Sequence, residues 1–333
     1  MLRIAINGFG RVGRNIVRAL LEGKHSNDMS IVAINDLAEP ELLAHLLEYD
    51  STLGRSSHPV SLNERELSMG DQSMTLYKEP DPSKLPWGEL EIDICFECTG
   101  RFASKEKASQ HLAAGAKKVL VSQPCADADI TTVYGVNHLA IKPEYTIISN
   151  ASCTTNCLAP IVAALHPLID IQSGLMTTIH AYTNDQNLLD QPSNDAFRSR
   201  SATASMIPTR TGAAKAVGLV LPELEGKLHG MAVRVPTANV SLVDLVLVGK
   251  NTVDIDAVHQ CFIEASQNTL RGVLSTNAKP LVSIDFQKNT HSSIVDTNHT
   301  AILGKQLKIM SWYDNEWGFS NRMLDVAKHI SQL

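Results

Sequence analysis

LRIAINGFGRVGRNIVRALLEG, residues 2–23, decides the fold of the N-terminal half of this chain. Leu2-Arg3-Ile4-Ala5-Ile6 has a strand pattern. Gly8, Gly10 and Gly13 follow in G-x-G-x-x-G spacing, and Val12, Ile16, Val17, Ala19 and Leu20 mark the apolar face of a helix. That spacing is weak by itself, but between a strand and an amphipathic helix it is a dinucleotide fingerprint, whose glycines let backbone approach a pyrophosphate on the helix N-terminus. Working outward, a second strand, Ser30–Ile34, ends in Asn35-Asp36, about twenty residues past the glycines. A carboxylate there accepts hydrogen bonds from the adenosine ribose hydroxyls and repels a 2′-phosphate, so the cofactor expected is NAD rather than NADP. The competing reading of Asp36 is a helix N-cap before Glu41-Leu42-Leu43.

The α/β alternation continues. Glu39–Tyr49 and Ser104–Ala114 read as helices, and Ile92–Cys98, Lys118–Ser122 and Thr146–Ser149 as strands. Residues 56–90 are hydrophilic and broken by Pro59, Pro80, Pro82 and Pro86, a pattern of short antiparallel pieces. Ligands of open α/β sheets bind beyond the strand ends, which makes Thr99, Gly100 and Ser122 candidate neighbours of the dinucleotide; plain turn residues are the alternative. Past residue 150 the texture changes. Helices are expected over Thr154 to about Leu165, after Thr211-Gly212, and over Ile255–Leu270 and Glu316–Ser331. Strands are expected over Leu175–Ile179, Ala232–Val235, Val240–Val248, Val282–Phe286, Ser293–Val295 and Leu307–Trp312. Long strands with few helices between them imply a mixed, largely antiparallel sheet. The polar stretch Thr183–Ser205 has little periodicity, and a loop of that length is functional, an interface element or disordered.

A length of 333 residues implies two domains, and 44% apolar with 19% charged residues is ordinary globular composition. The net charge of −6, without a Lys/Arg block, argues against nucleic acid as a partner. No signal-type stretch and no bilayer-length apolar run occur, so the expected location is the cytoplasm, with no membrane association. Six cysteines in a chain this long make no disulfide framework. Cys95 and Cys98 form a CxxC, but they lie in a strand pattern where positions three apart face opposite sides. Cys153 and Cys157 lack two further zinc ligands, so no metal is expected.

The chemistry is concentrated in SNASCTTNC, residues 149–157, followed by Thr177-Thr178-Ile179-His180. Taken singly, a cysteine is a small buried apolar residue and a histidine a satisfied core or surface residue. Here Cys153 stands where a strand gives way to a helix, and the free N–H groups of a helix N-terminus favour a thiolate. His180 ends a β-branched strand able to bring its imidazole back to that helix start, making a thiolate–imidazole nucleophile. Ser152, Thr154 and Thr155 supply hydroxyls for an anion, and Thr211-Gly212-Ala213-Ala214-Lys215 opens a second anion-ready helix. Arg234 interrupts an apolar strand, which an anion explains better than a solvated face.

SNASCTTNC is similar to the active-site signature of the phosphorylating glyceraldehyde-3-phosphate dehydrogenases and their relatives, the erythrose-4-phosphate dehydrogenases. The resemblance runs from Ile6-Asn7-Gly8-Phe9-Gly10-Arg11 to Trp312-Tyr313-Asp314-Asn315-Glu316. It implies an α/β chain with a Rossmann-like NAD-binding domain, residues 1–150 and 315–333, and an α+β catalytic domain, residues 151–314, with an interface loop at 183–205. It also implies a homotetramer acting on a triose phosphate and inorganic phosphate. Cys153 would attack the aldehyde, His180 would serve as base, and a thiohemiacetal and then a thioester would form before phosphate releases 1,3-bisphosphoglycerate. The resemblance places the substrate phosphate on Thr183 and Arg234, and the attacking phosphate on Ser152, Thr154, Thr211 and Gly212. It puts Arg11, with Val12 beside it, at the pyrophosphate, and Asn315 at the nicotinamide carboxamide.

Arg210, Pro80, Gln191, Phe197 and Phe319 depart from the usual pattern, without removing a catalytic group. Two alternatives stand: a non-phosphorylating erythrose-4-phosphate dehydrogenase, against which Thr183 and Thr211 to Lys215 count, and a catalytically idle binding protein that keeps the fold.

Overall fold

Strand, tight turn and helix form where the opening pattern puts them: β1 (Leu2–Asn7) runs into α1 (Arg11–Glu22). The computed structural model describes residues 1–333, in two units. Met1–Thr132, His138–Ser152 and Ser320–Leu333 make the first, and Val133–Asn137 with Cys153–Phe319 the second. Two glycines of the opening turn are demanded by packing. Gly8 has φ 93°, and a Cβ on it would lie 2.7 Å from the Thr99 nitrogen, while one on Gly13 would lie 2.4 Å from the Gly8 oxygen.

After α1 the first unit continues with β2 (Met29–Asn35), α2 (Pro40–Glu48), β3 (Val60–Asn63), β4 (Glu66–Met69) and β5 (Gln72–Tyr77). It is completed by β6 (Ile94–Glu97), α3 (Lys105–Ala113), β7 (Lys118–Val121), β8 (Ile130–Thr131) and β9 (Ile147–Ser149). Its nine strands form one sheet in the order β3-β4-β5-β2-β1-β6-β7-β9-β8. Pairing is parallel from β5 to β8, and antiparallel only in the β3-β4-β5 annex that the proline-broken stretch builds. The parallel strands are buried on both faces, which is why Ile4, Ile6, Phe96, Val119 and Val121 are all at most 1% exposed. Arg18, also 1% exposed, hydrogen-bonds the Leu47, Glu48 and Gly54 carbonyls and so closes the C-terminus of α2, with the Asp50 and Glu22 carboxylates offsetting its charge.

The second unit starts with α4 (Cys153–Ile169) and β10 (Ile171–Ala181), followed by β11 (Ile207–Arg210), α5 (Ala213–Val220), β12 (Leu228–Val235) and β13 (Ser241–Gly249). Then come α6 (Ile255–Gln267), β14 (Leu274–Asn277), β15 (Ser293–Asp296), β16 (Ala301–Leu303), β17 (Gln306–Tyr313) and α7 (Trp317–Ile330), which continues into the first unit. The sheet order is β11-β12-β10-β13-β17-β15-β14, with β16 on β17. Only β10–β12 and β14–β15 are parallel pairs. Leu158, Ile161 and Leu165 of α4, Val258 and Phe262 of α6, and Val243, Leu245 and Ile309 of the sheet share one core.

Three expectations need correction. Residues 283–286 form a single 3-10 turn, closed by the Asp285 carboxylate accepting the Val282 N–H at 2.8 Å, and Val282 and Ile284 point outward. Strand β14 was not anticipated. The helix expected to stop near Leu165 begins at Cys153 and runs to Ile169 past Pro160 and Pro167, because burial of Leu158, Ile161, Val162, Leu165 and Ile169 outweighs two missing N–H donors.

Candidate active site

The approach to Cys153 is built from strain. Between β9 and α4, the buried Ala151 has φ 56°, the left-handed region that an alanine enters at a cost of about 1–2 kcal/mol. Ser152 follows, half-buried, and Cys153 opens the helix. The Cys153 Sγ lies 3.5 Å from His180 Nε2. β10 and β12 run parallel with His180 directly opposite Arg234, so the sheet register sets imidazole and guanidinium side by side. Arg234 Nη1 is 2.6 Å from His180 Nδ1 and 3.1 Å from the Ala181 oxygen, and Nδ1 is also 2.6 Å from that oxygen. The carbonyl favours a proton on Nδ1, leaving Nε2 as a base toward sulfur. The guanidinium favours the other tautomer, with Nε2 as donor. A ring poised between them is suited to take a proton and return it.

Burial and the Arg234 charge push the His180 imidazole down to about 3, so it is neutral at physiological pH. The thiol departs from the sequence expectation. Burial raises the Cys153 pKa, and against it work first the Arg234 charge, then the Thr154 hydroxyl and the N–H groups of the helix start; an uncharged His180 adds no field. No other cysteine has a guanidinium in its favour: burial pushes Cys157 up to about 12 and Cys125 to about 11, and raises Cys95, Cys98 and Cys261.

Of the anion-binding candidates, Arg234 and Thr154 touch this pair directly. The Arg234 Nε is buried without a hydrogen-bond partner, the mark of a cation awaiting an anion. Thr155 Oγ1 reaches the Ala213 oxygen at 3.4 Å, tying the first turn of α4 to that of α5, where Thr211 and Gly212 stand. Thr211 Oγ1 accepts the Ala213 N–H at 3.2 Å, and Gly212 is the N-cap of α5. Thr183 donates its N–H (2.8 Å) and hydroxyl (3.2 Å) to Gln186 Oε1. The Thr154 hydroxyl, 4% exposed as a residue, faces the Tyr313 phenol at 2.9 Å. Asn315 Oδ1 accepts from Ser241 Oγ at 2.8 Å, and Ser241 Oγ accepts the Ala181 N–H at 3.1 Å, so Asn315 is linked to the strand of His180. Arg210 is exposed at the end of β11.

In the first unit the glycine turn borders a cavity of about 290 Å³ lined by Gly8, Gly10, Asp36, Pro80 and Thr99 among others. The residues suit a dinucleotide. α1 has no side-chain cap and no acidic residue in its first turn, and a Cβ on Gly10 would meet nothing within 4 Å, leaving the helix N-terminus open to a diphosphate. Asp36 accepts the Phe9 N–H (2.7 Å) and the Ala38 N–H (3.0 Å), fixing the carboxylate on the cavity wall with lone pairs to spare; it does not cap α2, whose N-cap is Glu39. Val12 sits half-buried in the first turn of α1, while Arg11 forms an ion pair with Asp50. The Thr99 hydroxyl is engaged by Glu97 and by the Arg101 N–H, and Ser122 does not line the cavity.

Sequence reasoning missed the support behind this wall. Glu97, fully buried, accepts from Asn7 Nδ2 (2.6 Å), His111 Nε2 (3.0 Å) and the Thr99 N–H (2.8 Å). Trp87 Nε1 donates to His111 Nδ1 at 3.1 Å, which fixes the ring proton on Nε2, and Asn7 Oδ1 in turn accepts from Asn35 at 2.7 Å. Tyr313 and Thr178 were missed too. The period-two alternation of a strand, which puts Thr178 on the face of His180, is the signal that points to Thr178.

Comparison with known proteins identifies the family. The family model described as glyceraldehyde 3-phosphate dehydrogenase, NAD binding domain, matches residues 2–105, and the one for the C-terminal domain of the same enzyme matches residues 152–315. A glyceraldehyde-3-phosphate dehydrogenase of Pseudomonas aeruginosa is 53% identical over 98% of this chain and 97% of its own length. The plasmid-borne one of Cupriavidus necator is 53% identical over 98% and 97%, and that of Geobacillus stearothermophilus 49% over 99% and 98%. The chain belongs to the glyceraldehyde 3-phosphate dehydrogenase family.

Proposed function

We propose that the chain catalyses the NAD-dependent, phosphorylating oxidation of glyceraldehyde 3-phosphate to 1,3-bisphosphoglycerate. The observation that carries this is the Cys153–His180 pair, 3.5 Å apart, beside a guanidinium with a buried, unpartnered Nε. Gly8, Gly10, Arg11, Val12, Gly13, Asp36, Thr99, Ser122 and Asn315 are the residues assigned to NAD, which when bound supplies the hydride acceptor. Cys153 Sγ adds to the aldehyde carbon while His180 Nε2 takes the proton and returns it to the developing alkoxide. Once the hemithioacetal is oxidised, the acyl group rests on sulfur as a thioester, and inorganic phosphate held by Ser152, Thr154, Thr211 and Gly212 attacks it. Arg234 and Thr183 hold the substrate's own phosphate, so the reacting carbon is placed by binding energy remote from it.

The two units then act as the NAD-binding and catalytic domains, with 183–205 as an interface loop, in a homotetramer. Exposed Leu188, Leu189, Phe197 and Met206 in and beside that loop, and Leu175 and Met231 on the open sheet face, support assembly. All six cysteines are free, in keeping with the cytoplasm, and no helix is long and apolar enough to cross a membrane. Initial rates with glyceraldehyde 3-phosphate and erythrose 4-phosphate, NAD and NADP, with and without phosphate, test the reading. The expected result is phosphate-dependent turnover of the triose with NAD. A higher kcat/KM for erythrose 4-phosphate, indifferent to phosphate, overturns it.

A further inference from the structure

Tyr313 ends β17, is 1% exposed, and has no role in the chemistry described above. Its phenol oxygen lies 2.9 Å from Thr154 Oγ1 and 2.8 Å from Thr178 Oγ1. Thr154 is in the first turn of the nucleophile's helix, next to Cys153. Thr178 is on the strand of the base, two residues before His180 and on its face. The phenol ring packs edge-to-face on the His180 imidazole, with centroids 5.9 Å apart and planes at 82°. One side chain thus holds both halves of the thiol–imidazole pair.

The chemistry of three hydroxyls in a row gives this arrangement a direction. A phenol carries a single proton, so between two hydroxyls it donates to one and accepts from the other. Thiolate sulfur only accepts. When Cys153 carries charge, the row settles as Thr178 to Tyr313 to Thr154 to Sγ, each proton pointing toward the anion, and each bond polarises the next. Thr154 and Thr178 are themselves only 4% and 1% exposed, so water does not compete.

We infer that Tyr313 is a positioning residue for the thiolate: it orders the hydroxyls of Thr178 and Thr154 toward the Cys153 sulfur and seats the His180 ring over it. No proton crosses the row. Burial raises the phenol pKa well above its usual value, so Tyr313 acts by hydrogen bonding and not as an acid. The same orientation serves a second moment of the cycle. When phosphate attacks the thioester, the carbon–sulfur bond breaks and sulfur keeps the electron pair, and once the acyl phosphate leaves, the Thr154 proton swings back to the thiolate along the row that Tyr313 holds.

The inference rests on Cys153 being the nucleophile, and the test separates the two. Full-length wild type, Tyr313→Phe, Thr178→Val and Thr178→Ser are inactivated with iodoacetamide across pH, with kcat, KM and denaturant midpoints measured in parallel. Tyr313→Phe is expected to move the alkylation profile up by about one pH unit and to lower kcat roughly tenfold, the effect of one hydrogen bond to a charged group, with KM for NAD unchanged. Thr178→Val should shift the profile the same way by less, and Thr178→Ser, which keeps the hydroxyl, should restore it. A Tyr313→Phe profile that superimposes on wild type, whatever the loss of stability, overturns the inference; if Tyr313→Phe does not fold, an unshifted Thr178→Val does the same. Wild type that survives labelling of Cys153 instead overturns the nucleophile assignment.

Discussion

His180 carries a cost that shows in the pH dependence of stability. It is 4% exposed, and its pKa falls from 6.5 in the unfolded chain to about 3 in the native one. Between those values the unfolded chain binds a proton that the native state refuses, so stability falls as pH falls from about 6.5. Asp50, Asp129 and Asp325, held at about 2 against an ordinary 3.8, add their own losses only below about pH 4. His180→Asn should therefore lose less stability than wild type between pH 7 and 5, as read from urea midpoints. An equal loss in both proteins would show that the imidazole does not titrate as described. That Cys153 and His180 meet was legible because both stand at element ends, where strand and helix patterns say which way the chain turns. Tyr313 was not legible: its partners lie 159 and 135 residues away, and no local pattern announces such contacts. Thr99 shows the opposite limit, since its position at a strand end was readable but the capture of its hydroxyl by the buried Glu97 was not.

Elements were readable where local chemistry and burial agree. α6 is an example: Asp254 accepts the Ala257 N–H at 2.7 Å as its N-cap, and only Val258 and Phe262 of the helix are buried. With so narrow a buried stripe, the cap matters. Asp254→Ala should destabilise the protein by about 1 kcal/mol, measured by denaturant unfolding, and a change near zero would mean that water replaces the carboxylate at no cost. Where local chemistry and burial disagree, burial prevails. Pro160 and Pro167 each lack the N–H that a helix interior uses, yet both lie inside α4, whose apolar face is fully covered. Val282 and Ile284 read as strand but stand exposed on a one-turn helix, because apolar composition does not say which way a short run faces.

For the whole molecule, the parallel sheet followed from the strand–glycine–helix opening and the mixed second sheet from its long strands, whereas strand order depends on pairings that periodicity does not encode. The open face of the second sheet bears on assembly. Leu175 is paired with Val246, and Met231 with Thr177, which sets Leu175 and Met231 on one face, 68% and 41% exposed. Sedimentation should find wild type at four times the 36.2 kDa chain and Met231→Glu in smaller species; a monomeric wild type would refute the tetramer. The pairing of β10 with β12 reaches further, into biosynthesis. During translation Cys153 is added 81 residues before Arg234 and 160 residues before Tyr313, so the thiol is made long before the groups that surround it. From residue 153 until β17 is made, the nascent chain therefore carries Cys153 as an ordinary, unshielded thiol. No stalled or clipped product ending short of β17 holds Cys153, His180, Arg234 and Tyr313 together, so the surroundings of the thiol are completed only when that strand is made.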